Sequence, residues 1–383
     1  MANFNPERIE QLIKQGLEEQ IFPGAAIAVG DKNGELYRAH FGKRAIVPDE
    51  LPLTEDTLFD IASVTKIVSP TMVALKLIDT GRLSLDDTMD KFFSTAGIND
   101  PAMLKTINVK HLMTHTSGIS AHIHLWDLCK TRTQVPAAIF NLPLKSVPGE
   151  KVSYSCLGYI LLGMICEKVA GIGLATLADN IIFAPLQMKR TGYNPKANPK
   201  INPVAGMSPI ANNWRKDIPK PEENFAATEY DKALRGRDVS GEVHDENAFF
   251  IGGVSGNAGI FSTIGDMSIY ARMLANRGSL EGVQIISKKL FDDAVINHTD
   301  HNEEGRGLGF AVKGRMPVSC GKIFPVGSYG HTGFTGTCVW VDCETSQYVV
   351  LLTNRVHFGR ENNKLIPFRS IVHNACAEIY RGI

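Results

Sequence analysis

The stretch Ala25-Ala26-Ile27-Ala28-Val29-Gly30-Asp31-Lys32-Asn33-Gly34-Glu35-Leu36-Tyr37-Arg38-Ala39-His40-Phe41 holds two strand-like runs, residues 25–29 and 35–41, about the turn Asp31-Lys32-Asn33-Gly34. Asn-Gly between apolar runs is among the strongest short-range signals for a hairpin. On its N-terminal side, Ile9, Leu12, Ile13 and Leu17 recur at helical spacing and predict an amphipathic helix. On its C-terminal side a helix is expected over residues 63–80, with Gly81 placed to cap it. Pro70 within that helix has no N–H to offer, so a kink or a freed carbonyl is expected there. Residues 82–300 read as helical patches broken by Pro- and Gly-rich loops, notably residues 193–221. Strand chemistry returns at residues 309–313, 337–341 and 348–354, and a helix over residues 365–380 closes the chain.

Strands at both ends of a chain can pair in one antiparallel sheet, with the middle inserted between them. The expected fold is therefore α+β, an antiparallel sheet flanked by helices. Residues 1–80 and 300–383 would form a discontinuous sheet domain. Residues 81–299 would form a mostly helical one, with the active site at the junction.

Composition narrows the function. Lys+Arg 40 balance Asp+Glu 40 in 383 residues. A zero balance argues against nucleic acid or an anionic membrane as the main partner, because both call for a basic excess. Hydrophobic residues at 44% supply a full core, and no apolar run approaches the ~18 residues of a membrane span. The first residues lack the basic and apolar segments of a secretory signal. The seven cysteines (129, 156, 166, 320, 338, 343 and 376) are odd in number, scattered and without a C-x-x-C pair. Reduced thiols and a cytoplasmic location are the expectation.

Three stretches carry residues suited to catalysis. The first is Ala62-Ser63-Val64-Thr65-Lys66, an S-x-x-K at a helix start. Residues three apart share a helix face, so Ser63 Oγ and Lys66 Nζ can meet. A lysine with its pKa lowered in a poorly solvated pocket can help take the serine proton. Backbone N–H groups at a helix start also point at whatever oxyanion forms there. A second match, Ser319-Cys320-Gly321-Lys322, has glycine beside the lysine and no helix after it.

The second stretch is Ser153-Tyr154-Ser155-Cys156, just before the apolar helical series Leu157, Ile160, Leu161, Met164 and Ile165, with Ser155 as the expected N-cap. Tyr154 there is either a buried aromatic anchor or, beside an ammonium that lowers its phenol pKa, a general base. The third is Gly330-His331-Thr332-Gly333-Phe334-Thr335-Gly336-Thr337. Its small residues let a substrate backbone approach a strand edge, and His331 can offer a proton or positive charge to a carboxylate. Taken alone, this run could equally be a glycine-rich turn.

The three lie in fixed order, 91 and 177 residues apart. Together they resemble the serine β-lactamase and penicillin-binding protein superfamily, within it the class C β-lactamase-like branch of D,D-peptidases and esterases. His111-Leu112-Met113-Thr114-His115-Thr116-Ser117-Gly118-Ile119 and Gly253-Val254-Ser255-Gly256-Asn257-Ala258-Gly259-Ile260-Phe261-Ser262-Thr263 are similar to two further phrases of that branch. The resemblance implies that Ser63 is the acylated nucleophile, Lys66 its proton-transfer partner and Tyr154 the base. It implies that Cys156, His331, Thr332, Gly333 and Phe334 meet the substrate, with the N–H groups of Ser63 and Phe334 as oxyanion hole. It implies no metal and no cofactor, and a β-lactam, D-alanyl peptide or ester as substrate. Two departures count against efficient antibiotic hydrolysis. Cys156 stands where the family has an amide side chain, and His331 where true class C β-lactamases have lysine.

Two other readings compete. A metal hydrolase would use His111 with His115, His122 with His124, or His298 with His301, but the residue after His111 is Leu112, not the glutamate of the metalloprotease motif. A non-catalytic penicillin-recognising or scaffold protein could keep the fold, although Ser63, Lys66 and Tyr154 are all present. Asp245 and Glu246 are adjacent and so point apart, which disfavours a shared acid/base pair. His244 and Asn247 beside them are candidate pocket contacts.

Overall fold

The computed structural model describes residues 4–193, 224–300, 305–314 and 319–383. Its main sheet has seven strands, numbered here in chain order: β1 Gly24–Asp31, β2 Gly34–Ala45, β3 Leu51–Pro52, β4 Ala311–Val312, β5 Tyr329–Thr332, β6 Cys338–Val341 and β7 Tyr348–Thr353. They lie in the order β4-β5-β6-β7-β1-β2-β3, every neighbour antiparallel. The hairpin of β1 and β2 forms as expected. Asp31 Oδ1 accepts from the N–H of Asn33 at 2.7 Å and of Gly34 at 3.3 Å, which closes the turn. The two ends of the chain meet where β1 pairs with β7, Ala25 facing Thr353 and Gly30 facing Tyr348. This is the α+β sheet that strands at both termini require.

Side-chain alternation along β1 builds two cores. Ala25, Ile27 and Val29 point to one face, against α1 (Glu7–Glu18) and the closing helix Leu365–Arg381. Ala26 and Ala28 point to the other, into the larger core. The helix Ile264–Ala275 packs on that second face against β1 and β7.

The expected helix over residues 63–80 is three pieces. A 3-10 turn, Ala62–Val64, leads to a π-helical segment, Ile67–Thr71, and then to α2, Met72–Asp79. Pro70 sits inside the π segment. Without an N–H it cannot close an α-turn, so the chain widens there instead of kinking. Tyr270 donates its hydroxyl to Ile67 O at 2.7 Å within the segment. Gly81 follows α2 with φ +69°.

α3, Cys156–Ala170, is apolar all round and buried, as a central helix must be. Ser155 caps it by accepting from Gly158 N at 3.0 Å, as its sequence predicts. Residues 82–300 are less purely helical than expected. Ile260–Ser262 pairs with Phe59–Asp60 on one side and Gly192–Tyr193 on the other. That small sheet ties the segment before Ser63 to the middle of the chain. Most of residues 193–221 lie outside the described residues. The expected strands at 309–313, 337–341 and 348–354 each shorten by one or more residues to β4, β6 and β7. β5 is an addition, hidden in the sequence because Gly330 reads as a turn. It is glycine because a Cβ there would come within 2.1 Å of Val339 O and 2.8 Å of Trp340 on β6. Among the described residues no single helix is long and apolar enough to cross a membrane.

Candidate active site

Ser63 stands in a turn held from both sides. Ala62 before it takes φ +47°, a conformation that L residues rarely adopt, and its N–H donates to the buried Asp60 carboxylate at 2.8 Å. Asp60 also receives His244 N at 2.6 Å. From the sheet, Thr335 Oγ1 donates to Asp60 O at 2.8 Å and Thr337 Oγ1 to Ile61 O at 2.9 Å. Gly333 fits between them only without a side chain, since a Cβ would sit 2.1 Å from Thr337 Oγ1 and 2.5 Å from Ile61 O. The run after β5 is thereby pressed onto the turn carrying Ser63. Val64 N is used on Ile61 O and Gly333 N on Thr337 O. Ser63, at the first turn of its helix, has no such intrahelical acceptor for its N–H.

Lys66 is fully buried, and its Nζ faces three acceptors: Ser63 Oγ at 2.9 Å, Asn257 O at 3.0 Å and Cys156 Sγ at 3.7 Å. An ammonium has three donors, and this cage satisfies all three. The expected downward shift of its pKa is not found. Burial does pull it down, but coupling to Cys156, Tyr154 and Asp245 outweighs burial and raises it. Tyr154 is half-buried beside this cage, with Lys66 Nζ 4.9 Å from its ring centroid. Its phenol is also raised, against expectation, because loss of solvent exceeds the opposing pull of Lys66. Burial raises the Cys156 thiol too. Tyr154 and Cys156 are thus held in their protonated forms, and it is the three acceptors about Lys66 Nζ that suit an ammonium there.

His331 corrects another expectation. It lies on β5, opposite Val339, and is 3% exposed. Burial, with Lys66 and Arg306 nearby, pushes its pKa down to about 3. Nδ1 lies 2.8 Å from Thr332 O, so it carries the proton, and Nε2 has no partner. The ring is neutral and offers a lone pair, not a positive charge. Its ring centroid is 6.0 Å from that of Tyr154, whose ring in turn lies 4.5 Å from that of His115, tilted by 36°. His115 Nδ1 accepts from Ser155 N at 3.0 Å, and burial keeps its pKa well below the usual value.

Ser63, Tyr154, Cys156, His331, Thr332, Gly333 and Phe334 all line one cleft of about 900 Å³. The expected site residues are thus brought together, with Lys66 beneath them. His244 lines the cleft and stacks on Phe334, centroids 5.6 Å apart. Asn247 does not line it: it is buried, holding Leu125 N and Ile123 O. Asp245 caps the short helix Glu246–Phe250 while Glu246 pairs with Arg360, so the two carboxylates serve different partners. Ser319 reaches the cleft wall but belongs to a turn, and Lys322 N is taken by Asn374. His111 closes a capping box with Asn108, His124 stacks on Trp126, and His298 meets Asp293 O. His301 lies outside the described residues. Among the described residues no three metal-binding side chains converge.

Sequence reasoning missed three contributors. One is the Asn257 carbonyl, which no residue letter marks. The others are Arg306, whose guanidinium lies 5.5 Å from the Tyr154 ring centroid, and the pair Arg355 and Arg369 behind the Gly333-Phe334 segment.

An antiparallel sheet with its helices about a Ser-Lys-Tyr cluster is the arrangement that comparison with known proteins can place in a class. The family model described as Beta-lactamase matches residues 9–373, so the chain belongs to the beta-lactamase family. A protein of Escherichia coli O157:H7, provisionally named D-alanyl-D-alanine carboxypeptidase, is 29% identical, covering 93% of this chain and 84% of its own. One of the same name from Salmonella enteritidis PT4 is 28% identical over 86% and 77%. In fold, the chain is similar to the octameric penicillin-binding protein homologue from Pyrococcus abyssi (TM-score 0.71, 23% identity, 99% of this chain and 78% of that one). It is also similar to EstCE1, described as a hydrolase with promiscuous acyltransferase activity (TM-score 0.72, 19% identity, 97% and 98%).

Proposed function

We propose that the chain is a serine hydrolase that opens an amide or ester through an acyl-enzyme on Ser63. The observation that supports this best is the meeting of Ser63 Oγ with Lys66 Nζ at 2.9 Å, with the Tyr154 ring centroid 4.9 Å from Nζ and both Ser63 and Tyr154 lining the cleft. Ser63 Oγ attacks the substrate carbonyl carbon, and the carbonyl oxygen gathers charge between the N–H groups of Ser63 and Phe334. Neither Lys66 nor Tyr154 has a vacant proton site at rest, so Tyr154 works as a relay. It takes the Ser63 proton as it passes its own to the departing nitrogen or oxygen. Lys66 stays charged and steadies the oxygen that loses its proton. Water then follows the same path in reverse and frees the acid.

The substrate class is a D-amino-acid peptide or a short ester, in line with the names of the relatives. Cys156, a thiol where an amide would hold a β-lactam side chain, makes β-lactam turnover slow. A fluorescent penicillin or a reactive phosphonate tests the first step. The adduct is expected on Ser63 by intact mass and peptide mapping, and Ser63→Ala should keep the fold and lose it. An adduct of unchanged yield on the alanine variant would overturn the assignment, and no label on the native chain would favour a non-catalytic protein.

A further inference from the structure

Arg369, on the closing helix Leu365–Arg381, is 7% exposed, yet among the described residues it meets no carboxylate. A buried guanidinium without a counter-ion is costly unless its position does something. Its Nη2 donates to Gly333 O at 3.0 Å and to Thr337 O at 3.2 Å. Gly333 O shares its peptide group with the N–H of Phe334. That peptide is trans, Val47-Pro48 being the cis bond among the described residues, so C=O and N–H point in opposite directions. With the carbonyl drawn back to Arg369 under the sheet end, the N–H is turned outward to the cleft that Ser63 and Phe334 line.

We infer that Arg369 is a positioning residue for the oxyanion hole, aiming and polarising the Phe334 N–H through the Gly333 carbonyl. This rests on the serine-hydrolase reading above. A charged donor on one end of a peptide group strengthens the donor at its other end. The positive charge also lies beside the place where the oxyanion forms, since Arg369, though largely buried, reaches the wall of the same cleft. The Gly333 geometry adds to this, because Gly333 is closely packed against Ile61 and Ala62 of the Ser63 turn. Arg355 acts on the next group, donating to Phe334 O at 3.0 Å, and so fixes the following peptide instead.

Removing one direct oxyanion donor costs about 10²–10³ in kcat, and a residue acting through that donor should cost less. For Arg369→Met we expect kcat on a 4-nitrophenyl ester to fall about 10- to 100-fold with KM within about twofold. Affinity for phenylboronic acid, which forms a tetrahedral anion on the serine, should fall by the same factor. Arg369→Lys keeps a charge but not the planar fork and should lie between. Val372→Ala on the same helix, buried but outside the cleft, lowers stability without touching Gly333 and should leave boronate affinity unchanged. Native boronate affinity in Arg369→Met overturns the inference. So does a loss confined to KM, or a loss that Val372→Ala matches at equal melting temperature. If Arg369→Met fails to fold, Arg369→Lys with native kcat and boronate affinity overturns it equally. If the wild-type chain neither turns over the ester nor binds the boronate, the serine-hydrolase reading falls and takes this inference with it.

Discussion

His331 shows how burial rewrites a residue's chemistry. As an exposed side chain it would titrate near 6.5 and clamp a substrate carboxylate as imidazolium. On β5, beside Lys66 and Arg306, its pKa is about 3, so it is neutral across the working range. The ratio of kcat/KM for a carboxylate-bearing substrate to that for a neutral ester is therefore expected to be flat from pH 5.5 to 8.5. A ratio that falls as pH rises through 6.5 would show that the imidazolium does form. Ring-nitrogen NMR should find the proton on Nδ1, where Thr332 O accepts it. Lys66 and Tyr154 also depart from the simple expectation, for different reasons: loss of solvent raises the phenol, whereas coupling to its neighbours outweighs burial for the lysine.

Among the elements, α3 and the segment before Ile260–Ser262 depend on each other at a single glycine. A Cβ on Gly256 would lie 1.9 Å from Tyr159 O and 3.0 Å from Gly163 N. Both contacts are helix backbone, so neither can rotate away. The next residue is Asn257, whose carbonyl holds Lys66. Gly256→Ala should cost on the order of 1–3 kcal/mol or more in stability, the usual cost of forced overpacking. It should also lower the acylation rate of the folded fraction, because Asn257 O moves off Lys66. Thermal unfolding and stopped-flow labelling measure the two separately, and a native acylation rate would mean that the carbonyl is dispensable.

At the scale of the whole molecule, burial lowers the pKa of His331, His373 and His115 among the described residues. His331 is held at about 3, His373 at about 4, and His115 well below its usual value, each by burial first. Their folded pKa values lie below the unfolded one, so the stability they contribute is full above about 6.5 and is lost as pH falls toward 3. Asp266, raised by burial to about 6, acts the other way between about 4 and 6, and Asp60, also raised by burial, acts in the same sense as Asp266. The lowered His111, Asp87, Asp231 and Glu246 side with the buried histidines, so the balance is a net uptake of protons on unfolding as pH falls. The melting temperature should fall steadily from pH 6.5 to 4, and a rise over that range would refute the balance.

The alternation of Ala25 to Val29, the Asn-Gly turn and the strands near the C-terminus were enough for the sheet, because strand period and turn chemistry are properties of neighbouring residues. Ser63, Lys66, Tyr154 and His331 were legible for the same reason: each sits in a short motif whose spacing is covalent. The broken helix over residues 62–79 was half legible, since Pro70 marked the fault but not its form. Tertiary structure alone decided the charge of Lys66, Tyr154 and His331, because a protonation state depends on excluded water and on groups up to hundreds of residues away. It alone brought the Asn257 carbonyl to Lys66 and Arg369 to the Gly333 carbonyl. Every residue has a carbonyl, so no letter of the sequence can say which one the fold will turn toward a charge.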